Sequence, residues 1–233
     1  MERMTDNTVV LRNVSKVYRQ NAIAVHALTE IDLDVPRKDF MCLSGPSGSG
    51  KSTLLNLIGG LDRPTTGEIT VDGQRVDQLP KGELARLRLH KIGFVFQAYN
   101  LIPVLTAIEN VEFVMQLQGV ATAERREKAL QILMEVGLEG LESRRPGELS
   151  GGQQQRVAVA RAIVSEPSLV LADEPTANLD SKTAENLMQL LVHMNTEHNV
   201  TFIFSTHDKR VMDFSRRLIK LRDGRIVEDE RRQ

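Results

Sequence analysis

The chain lacks any apolar stretch that approaches the roughly 18 or more residues of a membrane-spanning helix. Its first residues also lack the apolar core of a signal peptide, and no low-complexity segment or internal repeat is evident. We therefore expect the 233 residues to form one large domain, or one domain with a subdomain, that is soluble alone. Docking onto a membrane protein stays open.

Cysteine is almost absent, and neither sign of charge dominates. Cys42 is the single cysteine, which excludes an internal disulfide and fits a reducing cytosol. It lies in the apolar run at residues 40–43, so we expect a buried core residue rather than a reactive thiol. Lys plus Arg number 30 against 31 for Asp plus Glu, which removes any broad electrostatic argument for nucleic acid as the main partner.

Hydrophobic periodicity predicts an α/β chain. Residues 31–35 alternate as in a half-buried strand, and residues 67–73 form a short strand between turn glycines. The apolar runs at 168–172 and 200–204 are typical of strands buried on both faces. Strands that alternate with helices indicate a largely parallel sheet, with ligands at the carboxyl ends of its strands. The last residues, 228–233, are almost all charged and predict a solvated tail.

The middle of the chain is predicted to be helical. Thr106 and Glu109 have the spacing of a capping box, so a helix is expected to start there. A second helix is expected to begin at Thr122 as its cap and to end at Gly137. Further on, residues 222–225 predict a two-residue hairpin turn with Asp223 and Gly224 at its tip.

Residues 45–52 match the phosphate-loop pattern G-x-x-x-x-G-K-S. Glycines let backbone N–H groups turn inward around a phosphate, Lys51 neutralises the β and γ oxygens, and the Ser52 hydroxyl is a magnesium ligand. The loop follows an apolar strand and opens a helix, which is the context that favours this interpretation over an ordinary Gly-Ser loop. The predicted nucleotide-binding residues here are Gly45, Pro46, Ser47, Gly48, Ser49, Gly50, Lys51, Ser52 and Thr53.

Asp173 and Glu174 follow the buried strand at 168–172. An aspartate at the end of that strand can hold magnesium through water, and the adjacent glutamate can polarise a water that attacks the γ-phosphate. The alternative is a pair of exposed carboxylates. The phosphate loop elsewhere in the chain favours the functional interpretation.

Residues 150–153 read Ser-Gly-Gly-Gln, which is another capping-box form and predicts a helix start. Two glycines in a first helical turn cost about 1 kcal/mol each relative to alanine. A purely structural helix start has little need of them, so we expect something to approach this backbone closely. An anion at the helix N-terminus fits, with the Ser150 hydroxyl and Gly152 N–H as donors. A floppy loop before a helix is the alternative.

With Leu149, this segment resembles the signature motif of ABC-type ATPases, and the resemblance spans nearly the whole chain. It implies an α/β fold: a P-loop NTPase core with a mostly parallel sheet, an N-terminal antiparallel β subdomain and an α-helical subdomain. Residues 1–233 would form a single ABC ATPase domain. Residues of about 98–165 would contain the helical subdomain and the signature motif.

The resemblance also implies roles for individual residues. Gln97 would contact magnesium and the attacking water, and His207 would bond the γ-phosphate; with Glu174 and Lys51 they form the expected catalytic set. Asp180 would belong to a D-loop at residues 177–180. Tyr18 occupies the place of an aromatic side chain that stacks on adenine, although strand tyrosines are usually packing residues. ATP and Mg²⁺ are the implied cofactors, with Ser52, Gln97 and Asp173, the last through water, near the metal.

The same resemblance implies two copies. In ABC ATPases the signature of one copy, here Ser150, Gly151, Gly152 and Gln153, faces the phosphate loop of the other. A C2 homodimer would therefore hold two ATP molecules, and hydrolysis would open it.

Isolated ATPases of this type usually serve membrane transporters from the cytoplasmic face of the inner membrane. The apolar segment at 98–105 is either a contact for a permease subunit, docking near residues 97–105, or local packing; exposed apolar patches mark partner sites. Residues 54–62, 94–97 and 106–111 resemble the lipoprotein-releasing and macrolide-efflux group, LolD and MacB, whose ATPases transmit force across the membrane. Antimicrobial-peptide export or resistance systems and the cell-division member of the group are close competitors.

The alternative to a transporter subunit is a soluble, non-transport ABC ATPase that acts on ribosomes or DNA. Such proteins typically carry two cassettes or a long coiled-coil insertion, and this sequence has neither, so no nucleic-acid partner is expected. A P-loop kinase would not need residues 150–153.

Overall fold

The computed structural model describes residues 6–20 and 23–232. The N-terminal segment examined for a signal peptide therefore lies largely outside the described residues. The strands are β1 (Asn7–Gln20), β2 (Ile23–Pro36), β3 (Phe40–Ser44), β4 (Thr66–Val71), β5 (Gln74–Arg75), β6 (Ile92–Phe96), β7 (Leu169–Asp173), β8 (Thr201–Thr206), β9 (Arg217–Arg222) and β10 (Arg225–Arg231). The helices are α1 (Lys51–Ile58), α2 (Lys81–Lys91), α3 (Ala107–Leu117), α4 (Thr122–Glu135), α5 (Gly151–Ile163), α6 (Ser181–Glu197) and α7 (Lys209–Met212).

A six-stranded sheet in the order β10-β9-β3-β8-β7-β6 forms the centre of the fold. Its strands run parallel from β6 to β9, and only β10 is antiparallel to its neighbour. The predicted strands at 168–172 and 200–204 are β7 and β8, and both are buried along almost their whole length. The largely parallel sheet is thus confirmed, and its carboxyl ends meet along one edge.

A second sheet is built from the N-terminal third, in the antiparallel order β2-β1-β4-β5. The predicted strand at 31–35 lies within β2, and the strand predicted at 67–73 is β4, which ends at Val71 because residues 72 and 73 form a turn. Inward-facing residues of this sheet, among them Leu11 on β1, Ile31 on β2 and Ile69 on β4, are almost fully buried. The expected antiparallel β subdomain is therefore confirmed.

The core lies on both faces of the central sheet because β3 sends alternate side chains to opposite sides. Phe40 and Cys42 join the cluster beneath the middle helices, whereas Met41 and Leu43 join the cluster under the antiparallel sheet. Cys42 is fully buried, as predicted for a core residue. Phe40 packs against Phe202 and Phe204 at ring-centroid distances of 5.6 and 5.1 Å.

Helices α3, α4 and α5 lie within the range 98–165, although the exact subdomain boundaries stay a prediction. The capping box at the start of α3 is confirmed: Thr106 Oγ1 accepts from the Glu109 N–H, and the Glu109 carboxylate accepts from the Thr106 N–H at 2.7 Å. The cap predicted at Thr122 is wrong, since Thr122 is already helical and Ala121 is the N-cap residue, without a side-chain capping bond. Gly137, with φ +74°, follows the end of α4 as expected.

The C-terminal hairpin corrects one prediction and confirms another. Asp223 and Gly224 have φ of +50° and +72° and join β9 to β10, as a tight hairpin requires. Residues 228–231 are not a free tail, because they pair with β9 as part of β10 while their side chains stay exposed. Backbone pairing at a sheet edge tolerates charged side chains, and composition alone cannot reveal it.

Among the described residues, no helix combines the length and the apolar character needed to cross a membrane.

Candidate nucleotide-binding site

A cleft of 690 Å³ opens at the carboxyl ends of β3, β7 and β8. Elements far apart in sequence meet there: the phosphate loop before α1, the segment after β6, and the ends of β7 and β8. The predicted site residues that line it are Pro46, Ser47, Gly48, Gly50, Lys51, Ser52, Thr53, Gln97, Glu174 and His207. Gly45, Ser49 and Asp173 lie beside the cleft rather than on its wall.

The phosphate loop needs glycine where it passes other backbone. A Cβ added at Gly45, which has φ +150°, would lie 2.2 Å from the Leu221 carbonyl oxygen. A Cβ at Gly50, with φ +104°, would lie 2.6 Å from the Ala27 carbonyl oxygen. The strands on either side therefore press the loop into its curve, and this leaves its N–H groups at the start of α1 for an anion.

Lys51 is buried to 7% exposure and lies against the loop that it follows. Its Nζ donates to the carbonyl oxygens of Gly45 and Pro46, at 2.8 and 3.1 Å. This places the ammonium within the curve where phosphate oxygens would lie. Ser49 is also buried, and its Oγ has no hydrogen-bond partner among the residues that the structure describes. The Ser49 N–H donates to the Pro46 carbonyl at 3.2 Å, and the Ser49 carbonyl accepts from the Gly224 N–H at 3.2 Å. A contact between Ser49 and a nucleotide therefore stays a prediction.

Three side-chain oxygens meet at the ends of β7 and β8. Ser52 Oγ donates to Asp173 Oδ1 at 3.1 Å, and Ser205 Oγ donates to the same oxygen at 2.5 Å. Ser205 Oγ in turn accepts from the Glu174 N–H at 3.0 Å. Ser205 was not among the predicted site residues. A serine at the end of a buried strand, two residues before His207, was the available signal.

Glu174 and His207 are in direct contact. His207 Nδ1 lies 3.0 and 3.1 Å from the two carboxylate oxygens of Glu174. The glutamate has a left-handed φ of +47°, a strained conformation that is concentrated at functional sites. The imidazole is 70% exposed toward the cleft, so one of its faces is free to meet a ligand.

Gln97 lines the same cleft as this pair and contacts the predicted D-loop. Its Nε2 donates to Asn178 Oδ1 at 3.4 Å, and Asn178 Nδ2 donates to the Gln97 carbonyl at 3.0 Å. Asp180 itself is the N-cap of α6, where it accepts from the N–H groups of Lys182 and Thr183 at 3.1 Å each. The Thr183 hydroxyl, followed by these backbone donors, lowers the pKa of Asp180. Capping therefore accounts for Asp180 in the single chain, and its D-loop role stays a prediction.

Tyr18 does not line the cleft. Its hydroxyl donates to Asp62 Oδ2 at 2.8 Å, and Lys16 Nζ lies 4.7 Å from the ring centroid. Burial, followed by the hydrogen bond to Asp62, raises the pKa of Tyr18. The side chains that do flank the phosphate loop on this side belong to residues 25–27. The role of Tyr18 in stacking on adenine stays a prediction.

The helix start at residues 150–153 is formed as predicted but lies away from this cleft. Ser150 Oγ accepts from the Gln153 N–H at 3.3 Å, and Gln153 Oε1 accepts from the Ser150 N–H at 2.8 Å. One expectation needs correction, because the glycines have a use within the chain. A Cβ at Gly151 would lie 2.9 Å from Tyr99 Oη, and a Cβ at Gly152 would lie 2.6 Å from Thr183 Cγ2.

A second, more apolar groove of 430 Å³ lies beside β6. Its walls come from α2, β6, α3 and α5, and they are Leu61, Ala85, Arg88, Leu89, Ile92, Gly93, Phe94, Phe96, Asn100, Val114, Arg161, Ala162 and Ser165. Of the segment 97–105, only Asn100 reaches it. Leu101 packs on the core, whereas Val104 is 72% exposed. Local packing therefore accounts for Leu101, and a permease contact at this segment stays a prediction.

Three comparisons place this geometry among known proteins. A family model described as ABC transporter matches residues 28–177. The uncharacterized ABC transporter ATP-binding protein MJ0796 of Methanocaldococcus jannaschii is 46% identical over 96% of this chain and 97% of its own length. The macrolide export ATP-binding/permease protein MacB of Hyphomonas neptunium is 45% identical over 97% of this chain, which covers 35% of that protein.

The structural comparison agrees. A dimeric structure of a post-hydrolysis state of the MJ0796 cassette bound to ADP and Pi superposes with a TM-score of 0.88, at 46% identity. The match covers 96% of this chain and 98% of that one.

Proposed function

The chain belongs to the ABC transporter family, and we propose on that basis that two copies of it form the ATP-driven motor of a membrane transport system. It is an ATP-binding subunit and an ATPase. The observation that carries the proposal is the separation of two phosphate-type sites. Lys51, Glu174 and His207 share one cleft, whereas the helix start at 150–153 lies outside it.

We propose that the cleft binds ATP with Mg²⁺. Ser52 Oγ and Asp173 Oδ1 lie 3.1 Å apart at the cleft and would hold the ion, because hydroxyl and carboxylate oxygens are the ligands that a hard cation prefers. Gln97 would complete this side. When bound, the ion would neutralise charge on the β- and γ-phosphates.

The remaining chemistry belongs to the protein. Lys51 would bind β and γ oxygens, and Glu174 would take a proton from a water whose oxygen attacks the γ-phosphorus as the bond to the ADP oxygen breaks. His207, in contact with the Glu174 carboxylate, would hold that carboxylate and donate to the γ-phosphate. The short bond from Ser205 fixes Asp173, and the Ser205 hydroxyl also anchors the Glu174 backbone.

We propose that the signature at 150–153 completes the site of a second copy. A helix start with a Ser hydroxyl and close backbone access suits a γ-phosphate. Its own cleft does not include these residues, so a twofold dimer would give each ATP both halves. The dimeric form of a 46% identical cassette supports this arrangement.

The membrane partner would dock at the groove beside β6 and the adjoining segment 97–105. Its aromatic and aliphatic walls are suited to a short helix of a permease. Relatives that combine ATP-binding and permease parts in one protein support a permease as the partner. A force-transmitting role of the LolD and MacB type, at the cytoplasmic face of the membrane, is the form that we favour over a ribosomal or DNA-directed ATPase.

The test is the oligomeric state of Glu174→Gln protein. We expect this variant to lose turnover by about 10²–10⁴-fold, the usual contribution of a general base, yet to bind ATP and form a stable dimer. Light scattering with saturating ATP measures the dimer. The matched control is Glu127→Gln, which makes the same substitution at an exposed residue of α4 and should keep turnover. Glu174→Gln protein that stays monomeric at every concentration would contradict the proposal.

A further inference from the structure

The segment between Gln97 and the groove contains two adjacent residues in a strained conformation. Tyr99 and Asn100 have left-handed φ values of +58° and +50°, and neither is glycine. Such a conformation persists only where surrounding contacts hold it, and it is most costly for a bulky residue such as tyrosine. The contacts that hold Tyr99 therefore indicate which parts of the molecule this segment connects.

One contact comes from the groove side. Arg161 on α5 donates through Nη1 to the Asn100 carbonyl at 2.6 Å and through Nη2 to the Tyr99 carbonyl at 3.0 Å. Burial lowers the pKa of Arg161, because the charge has been removed from water. A guanidinium in such a place is stabilised by its two carbonyl partners, so this fork fixes both strained residues to α5. Asn100 and Arg161 both line the groove.

The other contact comes from the signature. The Tyr99 phenol lies over Gly151, where an added Cβ would be 2.9 Å from Tyr99 Oη and 3.8 Å from Cζ. Gly151 is the first residue of α5, so Tyr99 touches the same helix at two places. Residues 151 and 161 are separated along that helix by about 15 Å at a rise of 1.5 Å per residue.

We propose that Tyr99 is a positioning residue that couples the groove to the signature. Its carbonyl oxygen accepts a hydrogen bond from Arg161 at the groove, so that a displacement of Arg161 would move Tyr99 as well. Its ring sets the position of Gly151, which would contact the nucleotide of the partner copy. An occupant that shifts Asn100 or Arg161 would thereby move the phenol at the helix start. The inference rests on the proposed dimer and docking groove and adds the residue that connects them.

Tyr99 is not proposed to touch the reacting atoms of its own site. It does not line the ATP cleft, and the nearest site residue in sequence is Gln97. The expected effect of losing its ring is therefore on dimerisation and not on the affinity of one chain for ATP.

The experiment is hydrogen exchange of the full chain in the Glu174→Gln background, with and without Mg-ATP. In Glu174→Gln protein with no further substitution, we expect ATP to slow exchange at both 150–155 and 98–104. Tyr99→Ala is expected to weaken ATP-driven dimerisation about tenfold, a factor that corresponds to about 1.4 kcal/mol. At a concentration that restores the dimer, it should protect 150–155 but no longer 98–104.

Two further variants separate coupling from folding. Tyr99→Phe keeps the ring against Gly151, so we expect ATP to slow exchange at both segments, as in Glu174→Gln protein with no further substitution. Arg161→Lys removes the paired hydrogen bonds to the Tyr99 and Asn100 carbonyls. It should therefore abolish the response at 98–104, as Tyr99→Ala does. Leu130→Ala, which removes an exposed apolar side chain from α4, is the control that should leave both responses intact.

The outcomes distinguish the two proposals. If ATP still slows exchange at 98–104 in both Tyr99→Ala and Arg161→Lys, the coupling role is overturned while the dimer stands. If ATP slows exchange at neither segment in Glu174→Gln protein with no further substitution, the proposed dimer is wrong and the coupling falls with it.

Discussion

At the scale of single residues, two glycines of the phosphate loop differ in what a methyl group would meet. We expect Gly45→Ala to abolish ATP binding and to destabilise the fold strongly, because its Cβ would lie 2.2 Å from backbone of β9. Gly48→Ala, with φ +79° and open space around the Cβ, should cost only the conformational term of about 1–2 kcal/mol. Denaturant titration and nucleotide binding compare the two; equal losses of stability would contradict the argument.

Residues also differ in how far the sequence predicted them. Lys51, Ser52, Asp173 and Glu174 follow from pattern and context, since each lies at a fixed place in a strand–loop–helix or strand-end motif. Ser205 has no such pattern, and its importance arises only because β8 lies beside β7 in the sheet.

At the scale of elements, Asn110 on α3 holds the segment that follows Gln97. The side chain is fully buried; its Oδ1 accepts from the Ile102 N–H, and its Nδ2 donates to the carbonyls of Ile102, Leu105 and Thr106. We expect Asn110→Ala to lower the free energy of unfolding by about 1–3 kcal/mol, since it leaves these groups unpaired.

Hydrogen exchange at residues 101–106 should rise with that loss of stability. Gln116→Ala, an exposed amide on the same helix, is the control and should change stability by less than about 0.5 kcal/mol. A stable Asn110→Ala protein with unchanged exchange in this segment would show that other contacts hold it.

The first residue of a helix was predictable where a side chain caps the helix. Where no side chain caps it, the prediction was displaced. The capping boxes at Thr106 and Ser150 read correctly from spacing alone. α4 begins one residue earlier than its threonine suggested, because Gly119, with φ +83°, turns the chain so that Ala121 takes the cap position.

At the scale of the whole molecule, Arg217 joins the two sheets. From β9 it donates to the Asp34 carbonyl of β2 at 2.6 Å and holds the Asp229 carboxylate of β10 at 2.7 and 2.8 Å. The guanidinium hydrogen bonds lower the pKa of Asp229. Since the folded pKa is depressed, the stabilisation is present above the unfolded value near 3.9 and is lost as pH falls through the folded pKa.

We therefore expect Asp229→Asn to reduce stability at pH 7 by about 0.2–1 kcal/mol, a small value because the carboxylate is partly exposed. The difference from the unsubstituted chain should shrink below about pH 4. Urea titrations at both pH values measure it, with Glu127→Gln, a substitution of an exposed residue on α4, as the control. A difference that grows toward acid would contradict the assignment to Asp229.

The sequence by itself determined the phosphate loop, the strand-end carboxylates, the capped helix start at 150 and the α/β class, because each depends on residues that are neighbours in the chain. Only the tertiary structure decided which of them share a cleft. The order of β3, β8 and β7 brings Ser52, Asp173 and Ser205 together, and it leaves residues 150–153 outside. The contact of Tyr99 with Gly151 likewise depends on how α5 packs beside β6, and no local pattern encodes such packing.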